Sequence, residues 1–142
     1  MTVKPDLPSD SKPPAGQRSD GTKHRVLIVD DSVFIAKQLG QILQSEGFEV
    51  AGTATDGAQG VAEFQSLKPD LVTMDITMPV MDGVTALEKI LAIDKEAKVI
   101  MVSALGKEDV VKKCLLMGAK SFIIKPLDRA KVLERVISII NR

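Results

Sequence analysis

Val26-Leu27-Ile28-Val29-Asp30-Asp31-Ser32 decides the fold class. Four apolar residues run on without a polar residue between them, and two carboxylates follow at once. A strand with one wet face alternates apolar and polar side chains. A continuous apolar run is buried on both faces, as in a parallel sheet covered by helices. The same form recurs in Leu71-Val72-Thr73-Met74 before Asp75, in Val99-Ile100-Met101-Val102 before Ser103, and in Phe122-Ile123-Ile124 before Lys125.

Working outward from these runs, strands are expected at 25–30, 48–54, 70–74, 98–102 and 121–124. Between them apolar residues recur at a spacing of about 3.6, the period of a helix. Ile35, Leu39, Ile42 and Leu43 share one face, as do Val84, Leu87, Ile90 and Leu91, and again Val132, Val136, Ile139 and Ile140. A helix over 57–67 rests on Ala58, Val61, Ala62, Phe64 and Leu67, with Gly57 and Gly60 weakening it. Gly47 and Gly118 stand where helices should close. The pattern is α/β: a doubly wound five-stranded parallel sheet, (βα)5, with helices on both sides.

Composition narrows the function. The 142 residues carry 19 basic and 19 acidic side chains, so no net field recruits nucleic acid or an anionic membrane. No Lys/Arg-rich run is present, and no stretch approaches the ~18 apolar residues of a membrane span. The N-terminus lacks the apolar core of a secretory signal, so a cytoplasmic location is expected. One cysteine, Cys114, excludes an internal disulfide; its place in an amphipathic helical pattern points to core packing. Residues 1–24 hold Pro5, Pro8, Pro13 and Pro14 among Ser, Gly, Asp and Lys, which reads as a disordered tail before a domain at 25–142. His24, the only histidine, is expected to be a solvated linker residue.

In an open parallel sheet the carboxyl ends of the strands share one edge, and ligands bind in the crevice there. Asp30, Asp31, Asp75, Ser103 and Lys125 all fall on that edge. Each has an ordinary alternative: an aspartate caps or turns, and a strand-end serine bonds its own loop. Two adjacent aspartates repel unless a cation intervenes, however, and three clustered carboxylates supply the hard oxygens that Mg2+ takes. Lys125 adds a compact positive charge suited to a phosphoryl oxygen.

The segments Asp30-Asp31-Ser32, Met74-Asp75-Ile76-Thr77-Met78-Pro79-Val80-Met81-Asp82-Gly83, Val102-Ser103-Ala104 and Ile124-Lys125-Pro126 resemble the motifs of the response-regulator receiver domain. Within that family the likeness is to the small single-domain chemotaxis regulators, over about residues 25–142 and in the right order. The resemblance implies a flavodoxin-like, CheY-like fold and a phosphorylation-activated switch of a two-component system. Asp75 would be the phosphoacceptor, with a histidine kinase as donor. Asp30, Asp31 and Asp75 would hold Mg2+, together with the backbone carbonyl of Thr77. Ser103 and Phe122 would be the switch pair, and Lys125 would bind the phosphoryl group. By analogy the Lys125-Pro126 bond is expected to be cis. Helix 107–117, strand 121–124 and helix 128–141 would form the face that binds a partner, such as a flagellar motor switch component.

Thr77 and Leu105 replace polar or charged residues often found at these places, so the lifetime of the acyl phosphate does not carry over. With the chain ending at Arg142, after the last helix, no DNA-reading module is expected and output should pass through a protein, or through relay to another histidine. An aspartyl-nucleophile phosphohydrolase is disfavoured because Thr77 is no general acid. A nucleotide or flavin binder is disfavoured because neither G-x-G-x-x-G nor a P-loop occurs and Trp and Tyr are absent.

Overall fold

The structure, a computed structural model, describes residues 14–141. Five strands alternate with five helices: β1 (Arg25–Val29), α1 (Val33–Gln44), β2 (Glu49–Ala54), α2 (Gly57–Leu67), β3 (Leu71–Asp75), α3 (Gly83–Ile93), β4 (Val99–Ser103), α4 (Glu108–Met117), β5 (Ser121–Ile124) and α5 (Arg129–Ile140). All pairs are parallel and the sheet order is β2-β1-β3-β4-β5. The doubly wound (βα)5 sheet expected from the apolar runs is therefore the fold.

Successive strand residues feed opposite layers. Leu27, Val29, Val72, Met74 and Met101 pack with Leu87, Ile90, Val111 and Cys114 on the α2–α3–α4 side. Val26, Ile28, Leu71, Ile100 and Ile123 pack with Leu39, Leu43, Val132, Val136 and Ile139 on the α1–α5 side. Cys114 is fully buried and burial pushes its thiol up, as a packing role requires. The glycine in α2 has a purpose that propensity alone hides. At Gly60 a Cβ would come within 3.0 Å of both Val29 methyls, so glycine lets α2 close onto β1.

Side-chain caps start four of the helices. Ser32, Asp56, Asp82 and Asp128 accept from the backbone N–H of Ile35, Gln59, Thr85 and Lys131 at 3.2, 2.8, 2.8 and 3.0 Å. At α4 the N-cap is Lys107, which makes no side-chain cap bond. A cation there also opposes the positive end of the helix dipole, although Glu108 and Asp109 in the first turn favour it. The segment leading into α4, from Ala104 to Lys107, is exposed throughout. The helix beside the expected switch residue is thus the one least firmly started.

One expectation changes. Residues 14–24 are not a structureless tail. Gly16 N–H donates to the Glu46 carbonyl and His24 N–H to the Gly16 carbonyl, both at 2.7 Å. Gln17 and Lys23 form an antiparallel bridge, and Arg18 pairs with Asp70 at 2.6 Å. The segment is held by hydrogen bonds, one ion pair and packing of Gly16 and His24 against Phe48, not by an apolar run of its own, which is why composition concealed it. His24 is likewise half-buried beside Phe48, with ring centroids 6.3 Å apart, and burial lowers its pKa. Residues 1–13 of the expected tail lie outside the described residues.

Lys107→Ser should supply the missing cap and raise the unfolding free energy by about 1 kcal/mol, read from urea denaturation. An unchanged or lower midpoint would show that α4 is not limited by its start.

Candidate functional site

Strand register alone brings the site together. Val29 pairs with Met74, so the next residues, Asp30 and Asp75, lie side by side at the crevice where strand order reverses. Asp75 pairs with Val102, and Ser103 with Ile124, which sets Ser103 and Lys125 on the same edge. Lys125 N–H donates to the Ser103 carbonyl at 2.7 Å, fixing the β4 and β5 ends together.

The carboxylates crowd. Asp30, Asp31 and Asp75 each offer an oxygen, all within 4.8 Å of one another. Asp30 is buried, with Oδ1 accepting from Ser32 N–H at 2.8 Å. Its Oδ2 is buried too and has no hydrogen-bond partner; Lys125 Nζ lies 3.4 Å away as an ion pair without bonding geometry. The same Nζ donates to Asp75 Oδ1 at 3.4 Å. One ammonium therefore faces two buried carboxylates while Asp31 stands exposed at the rim.

Electrostatics follow from this geometry. Burial raises the Asp75 carboxyl and the charge of Asp30 raises it further; Lys125 opposes them, Asp31 adds a little, and the carboxyl is pushed up to about 6. An orphaned oxygen on Asp30 beside two further carboxylates is the donor set a hard divalent cation takes, so the residues present fit Mg2+.

The loops complete the pocket. Gly83 N–H donates to the Ile76 carbonyl at 2.7 Å, and a Cβ at Gly83 would collide with the Asp75 carbonyl oxygen. Only glycine lets the β3–α3 loop fold back so tightly. In that loop Thr77 is exposed, and Val80 holds φ at 67°, a left-handed conformation costly for a β-branched residue. Ser103 is buried, and its hydroxyl donates to the Ala104 carbonyl at 2.8 Å. Phe122 is half-buried on the edge strand β5, and the Lys125-Pro126 bond is cis, as expected. Register thus gathers Asp30, Asp31, Asp75, Ser103 and Lys125 at one edge, while Thr77 stands in the neighbouring loop and Phe122 one strand-length away. The strain at Val80 and the placement of Arg135 over the Phe122 ring, 4.9 Å from Cζ to centroid, carried no signal in the sequence.

A parallel α/β domain with an acidic, lysine-closed pocket at its switch point belongs to the class of phosphoryl-accepting signalling domains. The model of the response regulator receiver domain matches residues 26–137. The chain is 61% identical to the chemotaxis protein CheY of Treponema pallidum over 144 aligned positions, covering 99% of this chain and 100% of that one. It is 48% identical to CheY of Bacillus subtilis over 118 positions, covering 83% and 98%. Among solved structures, the CheX–CheY–BeF3–Mg2+ complex from Borrelia burgdorferi superposes with a TM-score of 0.87 at 56% identity, covering 90% of this chain and 98% of that one. The chain belongs to the response regulator receiver family, as a phosphorylation-activated regulator of the chemotaxis type.

Without metal, the raised pKa makes stability fall with pH. The folded protein keeps a proton on Asp75 that the unfolded chain, at 3.8, has released. The stabilisation is whole below that value and is lost as pH rises through about 6, amounting to about 2–3 kcal/mol by pH 7. In EDTA at pH 7, Asp75→Asn should unfold at higher urea than the parent chain, and the gap should shrink towards pH 4. Coincident midpoints at pH 7 would contradict the crowding.

Proposed function

We propose that Asp75 accepts a phosphoryl group from the phosphohistidine of a histidine kinase, and that the new charge biases the face of α4, β5 and α5 towards a protein partner. The observation that carries this is the single ammonium of Lys125, 3.4 Å from both Asp30 and Asp75, beside a buried carboxylate oxygen with no hydrogen-bond partner. The Borrelia relative, solved with Mg2+ and with BeF3, a tetrahedral stand-in for a phosphoryl group, supports the same chemistry here.

An ionised Asp75 oxygen attacks phosphorus in line. The P–N bond to the imidazole breaks, and the ring keeps the electron pair and later takes a proton. With its pKa at about 6, Asp75 is about nine-tenths ionised at pH 7, so the nucleophile is available. Lys125 keeps a positive charge where phosphoryl oxygens arrive, already oriented and partly shielded from water. Held by Asp30, Asp31, Asp75 and the Thr77 backbone carbonyl, Mg2+ would neutralise charge on the transferring group.

The acyl phosphate adds about −1.5 to −2 charge at Asp75. Ser103 then exchanges the Ala104 carbonyl for a phosphoryl oxygen, and Phe122 turns into the space released. The uncapped start of α4 lets this helix follow. The partner is a protein of the chemotaxis output machinery, such as a flagellar motor switch component. Thr77, lacking a carboxyl, gives no general acid for turnover of outside phosphate esters. We place the protein in the cytoplasm, in keeping with its buried, unpaired Cys114 and with the lack, among the described residues, of a helix able to cross a membrane.

Incubation with acetyl phosphate and Mg2+ should add one phosphoryl group by intact-mass spectrometry, and Asp75→Asn should add none. Full labelling of Asp75→Asn would remove Asp75 as the acceptor. Lys125→Ala should still take up phosphate but lose phosphate-dependent binding to its partner; undiminished binding would remove Lys125 from the switch.

A further inference from the structure

The α4–β5–α5 face holds a contact that this switch does not yet use. On β5, buried and half-buried residues alternate, and the Phe122 side chain leans into the α2–α3–α4 layer, packed against its rim. Arg135 belongs to α5, in the layer on the opposite side of the sheet. Its Cζ nevertheless lies 4.9 Å from the centroid of the Phe122 ring. The guanidinium therefore passes around the outer edge of β5, the last strand of the sheet, and covers the face of the ring. Both side chains line one groove with Leu105 and Lys131. Among the described residues no carboxylate pairs with this guanidinium, so the ring is its principal partner.

We propose that Arg135 is a positioning residue that clasps Phe122 at the surface and so sets how far the unphosphorylated protein is biased away from the active arrangement. The proposal rests on the reading of Phe122 and Ser103 as the switch pair. The second half of that pair agrees: with the clasp closed, the Ser103 hydroxyl faces the Ala104 carbonyl. When Phe122 turns inward the guanidinium loses the ring, so the contact exists in one state only and shifts the equilibrium between the two. A cation over a half-exposed ring corresponds to about a two- to fivefold change in such a ratio. A flat guanidinium stacks on the ring where an ammonium only points at it, so lysine should serve less well.

Arg135→Met keeps the stem and removes the cation. In the full chain, labelled with 13C and 15N at phenylalanine, three-bond couplings to the ring carbon report the χ1 populations of Phe122, which is assigned by its loss in Phe122→Leu. With no phosphodonor or metal present, the inward rotamer of Phe122 should rise about two- to fivefold in Arg135→Met, with Arg135→Lys in between. The initial rate of phosphorylation by acetyl phosphate with Mg2+ should rise by a similar factor. That rise should vanish when Arg135→Met is made in the Phe122→Leu background. Unchanged χ1 populations, or a rate increase that persists without Phe122, would overturn the clasp. If the parent chain takes up no phosphate the reading of Asp75 fails instead, and the couplings still decide the role of Arg135.

Discussion

Three carboxylates share one small pocket, and a single lysine answers them. The rest of the molecule is arranged around that imbalance. Asp30 and Asp75 are buried, Asp31 stands at the rim, and Lys125 Nζ lies 3.4 Å from each buried partner. One positive charge cannot offset three negative ones at reduced dielectric, so a proton or a cation must complete the balance. Below about pH 6 the raised carboxyl of Asp75 supplies that proton, and the same three carboxylates form a donor set that fits a divalent cation. On the proposed function, a phosphoryl group arriving at Asp75 would compete for the contacts that Lys125 and Ser103 now make.

Topology makes such a pocket possible in a small chain. Parallel strands end on the same edge, and placing β1 beside β3 opens a crevice between two loops that leave in different directions. Asp30, Asp75, Ser103 and Lys125 each end a strand or follow it directly, so their positions are fixed by a hydrogen-bonded ladder, and Asp31 comes one residue further on. The loops are exposed, yet their starting points are rigid. One flank is less firmly tied: α4 begins without a side-chain cap and Phe122 sits on the edge strand. The strand ends that carry the site are tied by the sheet, whereas the neighbouring α4 has the weaker start.

The sequence disclosed what depends on local pattern. Strands buried on both faces leave near-continuous apolar runs, and residues such as Asp30, Asp75 and Lys125 stand out because each ends one. Helix α2, doubtful on propensity, forms because Asp56 caps it and Gly60 fits it against Val29. Features that depend on distant partners stayed hidden. The turn at 14–24 is held by Glu46 and Asp70, which no composition window can include. His24 looked solvated because its neighbours in the chain are polar, whereas its neighbour in space is Phe48. Arg135 reads as one more charge on an amphipathic helix until α5 is laid beside β5.

The most direct test is the number of protons released when Mg2+ binds, obtained by isothermal titration calorimetry in two buffers of different ionisation enthalpy. At pH 6 Asp75 is about half protonated, so binding should release about half a proton, falling to almost none at pH 8. Binding without proton release at pH 6, or no binding at all, would contradict a crowded carboxylate pocket that awaits a cation.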